Sequence, residues 1–310
     1  MIYNYAIFHR GCPDGFAGFH ILSRSKHINM NTIVYPDTPF ASKAPPNIKG
    51  KDMIIIDTAY KYSVLKEICM KAKSVVFIDH HITIRNDVIK IKKELELKKH
   101  ITIIYNEKKS GCLLTWEFFY PKLKKPLYIK YINDNDTGTW KYKETDCFMV
   151  SLDINFPKTN KEEILEKWDT MTKSENIKKM IKEGKQYMVY MEHVALQNSK
   201  RCVIVSFPSK KIYQQFPKYF DNIGQYRVAL YCGPACPETR ILFKTIVNNI
   251  NCDFVIFWTY SVNENKYVLS FRSLKADVGS IASIFGGGGH TLASACNFSS
   301  KKYKLEDLFL

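Results

Sequence analysis

Four short apolar runs near the amino terminus constrain the fold more than any other feature: Tyr5-Ala6-Ile7-Phe8, Thr32-Ile33-Val34-Tyr35, Met53-Ile54-Ile55-Ile56 and Val75-Val76-Phe77-Ile78. Each is short, rich in β-branched or aromatic residues and bounded by polar or turn residues, which is how a buried strand reads. Between them, Gly15 to Lys26 and Tyr62 to Ala72 carry apolar residues at helical spacing. Strands alternating with helices predict an α/β fold with a parallel sheet. In such sheets ligands bind beyond the carboxyl ends of the strands, so the residues that follow each run matter most.

Those residues are His9-Arg10-Gly11-Cys12-Pro13-Asp14-Gly15 after the first run, Asp57-Thr58 after the third and Asp79-His80-His81 after the fourth. Singly, His9 reads as an ordinary strand-end histidine, Asp14 and Asp57 as helix caps, and Asp79-His80-His81 as a turn. Together they place metal-capable side chains at three successive strand ends, which chance placement of 30 acidic residues and eight histidines would seldom produce. A helix is expected from Ser110 to Tyr120, and Leu127 to Ile132 leads into a further acidic cluster, Asn133-Asp134-Asn135-Asp136-Thr137-Gly138.

A chain of 310 residues exceeds one average domain of roughly 100–200 residues. The expected division is a catalytic, metal-binding domain over residues 1–150, a helical connector over 151–198 rich in Glu, Lys, Met and Leu, and a smaller α+β domain over 199–310. In the last, Cys202 to Val205 and Tyr226 to Tyr231 read as strands, and Asp253 to Tyr260 and Lys266 to Arg272 as a hairpin across Asn263-Glu264-Asn265. A helix from Val278 to Phe285 then runs into Gly286-Gly287-Gly288-Gly289-His290. Met188 and Met191, beside Tyr187 and Tyr190, read as core packing, and Lys90 to Lys99 as a solvated helix face.

Composition narrows the function classes. At 45% hydrophobic, 14% aromatic and 25% charged, the chain is that of a folded protein. No apolar run approaches the ~20 residues that cross a bilayer, and the amino terminus lacks signal-peptide features, so a cytoplasmic protein with no membrane partner is expected. Nine cysteines, an odd number, fit reduced thiols better than a disulfide framework. Cys232 and Cys236 form the one close pair, with no second pair to complete a zinc pattern. A formal charge of +16 favours a phosphate-rich partner. That charge is mostly lysine, which lacks arginine's planar fork, in a chain also rich in Ile, Asn and Tyr.

Carboxylates and imidazoles at parallel strand ends can share two divalent ions about 3.5–4 Å apart, an arrangement that supports in-line attack of activated water on phosphorus. The mixed oxygen and nitrogen donors suit Mn²⁺, with Mg²⁺, Co²⁺ or Zn²⁺ as substitutes. Four consecutive glycines carry an entropic cost. A backbone that wraps a phosphate or terminal nucleotide, aided by Arg272 and His290, would account for it.

Asp79-His80-His81 followed far downstream by Gly286-Gly287-Gly288-Gly289-His290-Thr291-Leu292-Ala293 resembles the DHH phosphoesterase superfamily with its DHH-associated C-terminal domain, over nearly the whole chain. Cys12-Pro13-Asp14-Gly15, Asp57-Thr58, Ser110-Gly111 with Trp116 to Phe119, Asp134 to Asp136, and Leu269 to Ser273 before Asp277-Val278 support it by their order. The resemblance implies a parallel-sheet domain holding two metal ions, usually Mn²⁺, and a smaller domain that binds substrate across a cleft. It implies His9, Asp14, Asp57, His80 and Asp134 or Asp136 as ligands, with Asp57 bridging and Asp136 favoured over Asp134. It further implies Asp79, His80 and His81 as catalytic residues, with His81 on the substrate phosphate and Asp79 orienting the histidines. Arg272, Gly286 to Gly289 and His290 would grip the terminal phosphate or nucleotide.

One departure stands out: the family's first motif has two aspartates two residues apart, whereas here Asp14 is alone and Cys12 or Phe16 falls where the other would be. The leading expectation is a phosphodiesterase that cleaves short oligonucleotides or linear or cyclic dinucleotides to nucleoside monophosphates. A single-strand-specific exonuclease on longer DNA or RNA is the alternative within the superfamily, and a pyrophosphatase fits the glycine run less well. A catalytically impaired nucleotide-binding module is the alternative from another class. Substrate polarity and homodimerisation are left open.

Overall fold

The computed structural model describes residues 1–95, 100–156, 164–220, 225–233 and 238–309. It divides into two compact units, Met1–Tyr187 and Met188–Leu310.

Among the described residues the first unit is built on five strands: β1 (Tyr5–His9), β2 (Ile33–Asp37), β3 (Asp52–Ile56), β4 (Ser74–Asp79) and β5 (Ile101–Tyr105). All pair in parallel, in the order β2-β1-β3-β4-β5. The helices are α1 (Pro13–Ser23), α2 (Tyr62–Lys71), α3 (Arg85–Leu95), α4 (Gly111–Phe119), α5 (Leu127–Asp136), α6 (Thr145–Asn155) and α7 (Leu165–Asp169). Side chains alternate across the sheet. Phe8, Ile54, Ile56 and Ile78 pack on one face with Phe16, Phe19, Leu113 and Ile132 of α1, α4 and α5. Ile7, Ile55 and Phe77 pack on the other with Leu65, Ile68, Val88 and Ile91 of α2 and α3. Cover on both faces explains why these strands read as continuous apolar runs. Helix α1 lies so close to the sheet that a Cβ on Gly18 would meet Ile56 Cγ2 at 2.4 Å.

The strand order reverses at β1, which pairs with β2 on one side and with β3 on the other, after which the sheet grows outward through β4 and β5. That reversal opens the crevice in which doubly wound folds bind ligands. His9 ends β1, and Asp57 follows β3 directly.

Helix α8 (Ser174–Ser199) runs across the division between the units. Met188 and Met191 on it are half-buried, while Tyr190 beside them is 71% exposed, so this stretch is less buried than core packing requires.

The second unit holds β6 (Val203–Phe207), β7 (Tyr226–Cys232), β8 (Phe254–Ser261), β9 (Lys266–Ser273), β10 (Gly288–Gly289) and β11 (Ala293–Ser299), with helices α9 (Lys210–Gln215), α10 (Glu238–Asn249) and α11 (Val278–Ile284). The sheet order is β10-β11-β9-β8-β7-β6. Only β7 and β8 among these strands are parallel, and α10 supplies the crossover that such a pair needs. The β8–β9 hairpin predicted from sequence forms in the register Phe254↔Ser273 to Ser261↔Lys266. The core gathers Phe207, Phe254, Ile256, Leu269, Phe271, Val278 and Phe298.

Candidate functional site

In the first unit, Asp57 is the hub. Its Oδ2 lies 3.2 Å from His9 Nδ1 and its Oδ1 lies 3.0 Å from His80 Nε2. The residue sits at φ +56°, a left-handed conformation that Asp tolerates better than most residues. Backbone held in this sparsely populated region clusters at functional sites.

His80 Nε2 also faces Asp136 Oδ2 at 3.3 Å and Asp14 Oδ2 at 3.6 Å. One imidazole thus meets three carboxylates. Burial pulls the His80 pKa down, but Asp136, Asp57 and Asp14 outweigh it and raise it to about 10. Burial and its anionic neighbours push the Asp136 carboxyl up to about 7, and burial with Asp57 beside it raises Asp14 too. Asp57 goes the other way: burial opposes its charge, yet the hydrogen bonds from His80 and His9 hold it well below the usual range. Carboxylates this close cannot all ionise without a cation.

Each carboxylate is fixed by a different local device. Asp14, in the first turn of α1, accepts the amides of Gly111 (2.6 Å) and Cys112 (2.9 Å), one on each oxygen. These donors start α4, which Ser110 caps through its hydroxyl. Ser110 N in turn donates to Asn133 Oδ1 at 2.9 Å, tying α4 to α5. Asp79 Oδ1 accepts the His80 and His81 amides (2.6 and 2.8 Å) and lies 3.0 Å from His81 Nδ1. Tyr105 from β5 donates to the His81 carbonyl at 2.9 Å.

Asp134 and Asp136 are separated by this packing. The Asp134 carboxylate accepts Thr145 Oγ1 (2.5 Å), Lys141 N (2.7 Å), Thr139 Oγ1 (2.8 Å) and Tyr142 N (3.3 Å). It is therefore spent on closing the turn after α5, and Asp136 is the member of the pair that faces His80. Burial opposes the Asp134 charge, but these hydrogen bonds prevail and lower its pKa. Its stabilisation is therefore full above the unfolded carboxyl pKa of about 3.9 and is lost as pH falls through the depressed folded value. Asp134→Asn should cost about 1–3 kcal/mol at neutral pH. Denaturant titrations should show that gap closing below about pH 4. A gap that persists unchanged in acid would remove the carboxylate from this role.

The donor set fits divalent metal ions. The ligand atoms of Asp14, His80 and Asp136 lie within 4.8 Å of one another, as do those of His9, Cys12 and Asp57. Asp136 Oδ2 and Asp79 Oδ2 are buried and accept no hydrogen bond from the described residues. Buried carboxylate oxygens in that state call for a cation. Among the sites expected from sequence, Cys236 lies outside the described residues, as do residues 96–99 of the lysine-rich stretch.

In the second unit, β9 pairs with β11 so that Arg272 faces Ala293, three residues after His290. The His290 amide donates to the Ala293 carbonyl at 2.8 Å, closing a tight turn beside the arginine strand. Packing accounts for much of the glycine run. Gly286 and Gly289 have φ of +80° and +141°, and a Cβ on Gly287 would lie 2.1 Å from the Ala295 carbonyl oxygen. Arg272 donates from Nη1 to Ser270 Oγ (2.9 Å) and to its neighbour's carbonyl (2.8 Å). Burial lowers its pKa to about 10, with no carboxylate of the described residues offsetting that.

No helix among the described residues is long and apolar enough to cross a membrane. No family model matches the chain. It is 28% identical over 316 residues to uncharacterized protein R106 of Acanthamoeba polyphaga mimivirus, covering 96% of this chain and 68% of that protein. Among solved structures, it aligns with the pGpG-specific phosphodiesterase PggH of Vibrio cholerae at a TM-score of 0.45 and 13% identity, covering 96% and 94% of the two chains. It aligns with an exopolyphosphatase-related protein of Bacteroides fragilis at a TM-score of 0.44 and 14% identity, covering 95% and 86%. In the order of its motifs, from Cys12-Pro13-Asp14-Gly15 through Asp79-His80-His81 to the glycine run and His290, the chain resembles the DHH phosphoesterase superfamily.

Proposed function

We propose that the protein is a metal-dependent phosphodiesterase of the DHH type that hydrolyses short oligonucleotides or dinucleotides to nucleoside monophosphates. The observation that carries this reading is the convergence of His9, Asp14, Asp57, His80 and Asp136 from four separate stretches of the chain, with a carboxylate oxygen of Asp136 buried among them and accepting no hydrogen bond from the described residues. His9, Asp57, Asp14, His80 and Asp136 would hold divalent ions, Mn²⁺ being the expected one and two the expected number. Bound there, they would activate water for attack on phosphorus and offset charge on the leaving oxygen.

The chain's own groups have separable tasks. Asp79 fixes both following amides and the His81 ring, so His81 is oriented to donate a hydrogen bond to a non-bridging phosphate oxygen. The amides that start α4 hold Asp14 against rotation. In the second unit, Arg272 is a desolvated guanidinium without a carboxylate partner among the described residues, suited to a phosphate. The turn at His290 lies one strand away from it.

Purified protein supplied with Mn²⁺ should shorten labelled di- to pentanucleotides and release mononucleotides, faster than it degrades a thirty-residue strand. Absence of turnover across RNA, DNA and cyclic dinucleotides would sink the proposal. Faster cleavage of the long strand would instead favour the exonuclease reading, which the net charge of +16 keeps in play.

A further inference from the structure

The family's usual first motif would put a second aspartate near Asp14, and two positions compete for its place. Phe16 is out of contention: it is 5% exposed and turned into the core, its ring 5.6 Å from Phe8, 5.9 Å from Phe19 and 5.0 Å from Trp168. Cys12 is turned the other way. Its Sγ lies within 4.8 Å of the ligand atoms of His9 and Asp57. It occupies the residue before α1, with Pro13 opening the helix. Ser, Thr, Asp or Asn at that position would stabilise the helix by accepting a backbone amide on its side-chain oxygen. A thiol is a weak acceptor and forgoes most of that.

We infer that Cys12 is a thiolate ligand, completing with His9 and Asp57 a mixed nitrogen, oxygen and sulfur site for one divalent ion. The inference rests on the metal-binding reading above and deepens it. On binding, the sulfur–metal bond forms and the thiol proton leaves to solvent; no electron is transferred. Without an ion, burial and the carboxylates of Asp57, Asp136 and Asp14 keep the thiol protonated. A coordinated cation reverses that balance, since a ligating thiol is deprotonated outright. The consequence is metal selectivity. Sulfur favours Zn²⁺ and Co²⁺ over Mn²⁺ and Mg²⁺, so this half of the site should rank metals differently from the all-carboxylate and imidazole half at Asp14, His80 and Asp136.

Cobalt reports the ligand directly. The full chain, reduced and titrated with Co²⁺, should develop visible ligand-field bands together with an intense near-ultraviolet sulfur-to-cobalt charge-transfer band. Cys12→Ser and Cys12→Asp should each abolish the charge-transfer band and keep ligand-field bands from the remaining donors. Both should weaken Zn²⁺ binding by at least the about 10- to 100-fold that loss of even an outer partner brings. Cys12→Asp should retain Mn²⁺ binding. Cys112 is the rival sulfur to test, since its amide holds Asp14, and Cys112→Ala should keep the band. Ligand-field bands without charge transfer in the wild-type protein, or a band lost in Cys112→Ala and kept in Cys12→Ser, overturns the assignment while leaving the metal site standing. No cobalt absorption of either kind overturns both.

Discussion

Asp57→Asn should reduce metal loading and cut hydrolysis of a short oligonucleotide by roughly 10²- to 10³-fold or more, the scale for removing one preorganised electrostatic group. Asp57 engages His9 with one oxygen and His80 with the other, so an amide in its place pairs correctly with at most one of them. Asparagine is the informative replacement. It tolerates the φ of +56° that position 57 adopts, whereas alanine there adds roughly 1–2 kcal/mol of backbone strain and would confuse folding with function. Elemental analysis should find fewer ions per chain, and circular dichroism should show the wild-type spectrum. A variant that keeps its metal complement and its turnover would show that Asp57 is not the hub of a metal site. Retained metal with lost turnover would place Asp57 in the chemistry instead.

How much of this was legible in the sequence differs from residue to residue. β1, β3 and β4 are covered on both faces, so their apolar runs were unbroken and their ends, where His9, Asp57 and Asp79 to His81 fall, could be read directly. β5 carries the same signal in Ile101-Thr102-Ile103-Ile104-Tyr105, but it lies behind a lysine-rich tract and is not among the four runs that stand out near the amino terminus. β11 has no such signal: Ala293-Ser294-Ala295-Cys296-Asn297 is small and polar, and it becomes a strand because β9 pairs with it in full register. Tertiary pairing, not propensity, decides it.

The choice between Asp134 and Asp136 was open for a geometric reason. Residues two apart on a helix do not face the same way, so one of them had to turn from the site. Which one depends on Thr139, Lys141, Tyr142 and Thr145 folding back over Asp134, contacts that no local spacing announces. The same holds for Cys12 and Phe16, which the aromatic cluster around Trp168 sorts. In the sequence Ser110-Gly111 stands out by its place in the motif order and as the start of a helix. Its physical role, two amides closing on Asp14, needs the ninety-seven-residue separation that only the fold brings together.

Gly111→Ala should therefore be a severe test of the site, although glycine to alanine inside a helix ordinarily stabilises it. A Cβ at position 111 would lie 2.7 Å from Asp57 Cβ, 3.0 Å from Asp14 Oδ2 and 3.2 Å from Asp57 Cγ. None of these atoms ends a flexible side chain. Asp57 Cβ is joined to a backbone held left-handed, and Asp14 is pinned by the amides of Gly111 and Cys112. Relief requires the start of α4 to retreat from the crevice, which lengthens both Asp14 hydrogen bonds and moves two carboxylates at once. Overpacking of this kind costs about 1–3 kcal/mol, and each kcal/mol lowers the melting temperature by about 2–4 °C in a unit of this size. The catalytic loss should be larger, because a displacement of about 1 Å in a reacting constellation can cost on the order of 10²-fold. Thermal melts and turnover measured on the same preparation separate the two effects. A variant that melts like the wild type and turns over at its rate would mean that Asp14 and Asp57 are not held against α4, and the site described for them would have to be redrawn.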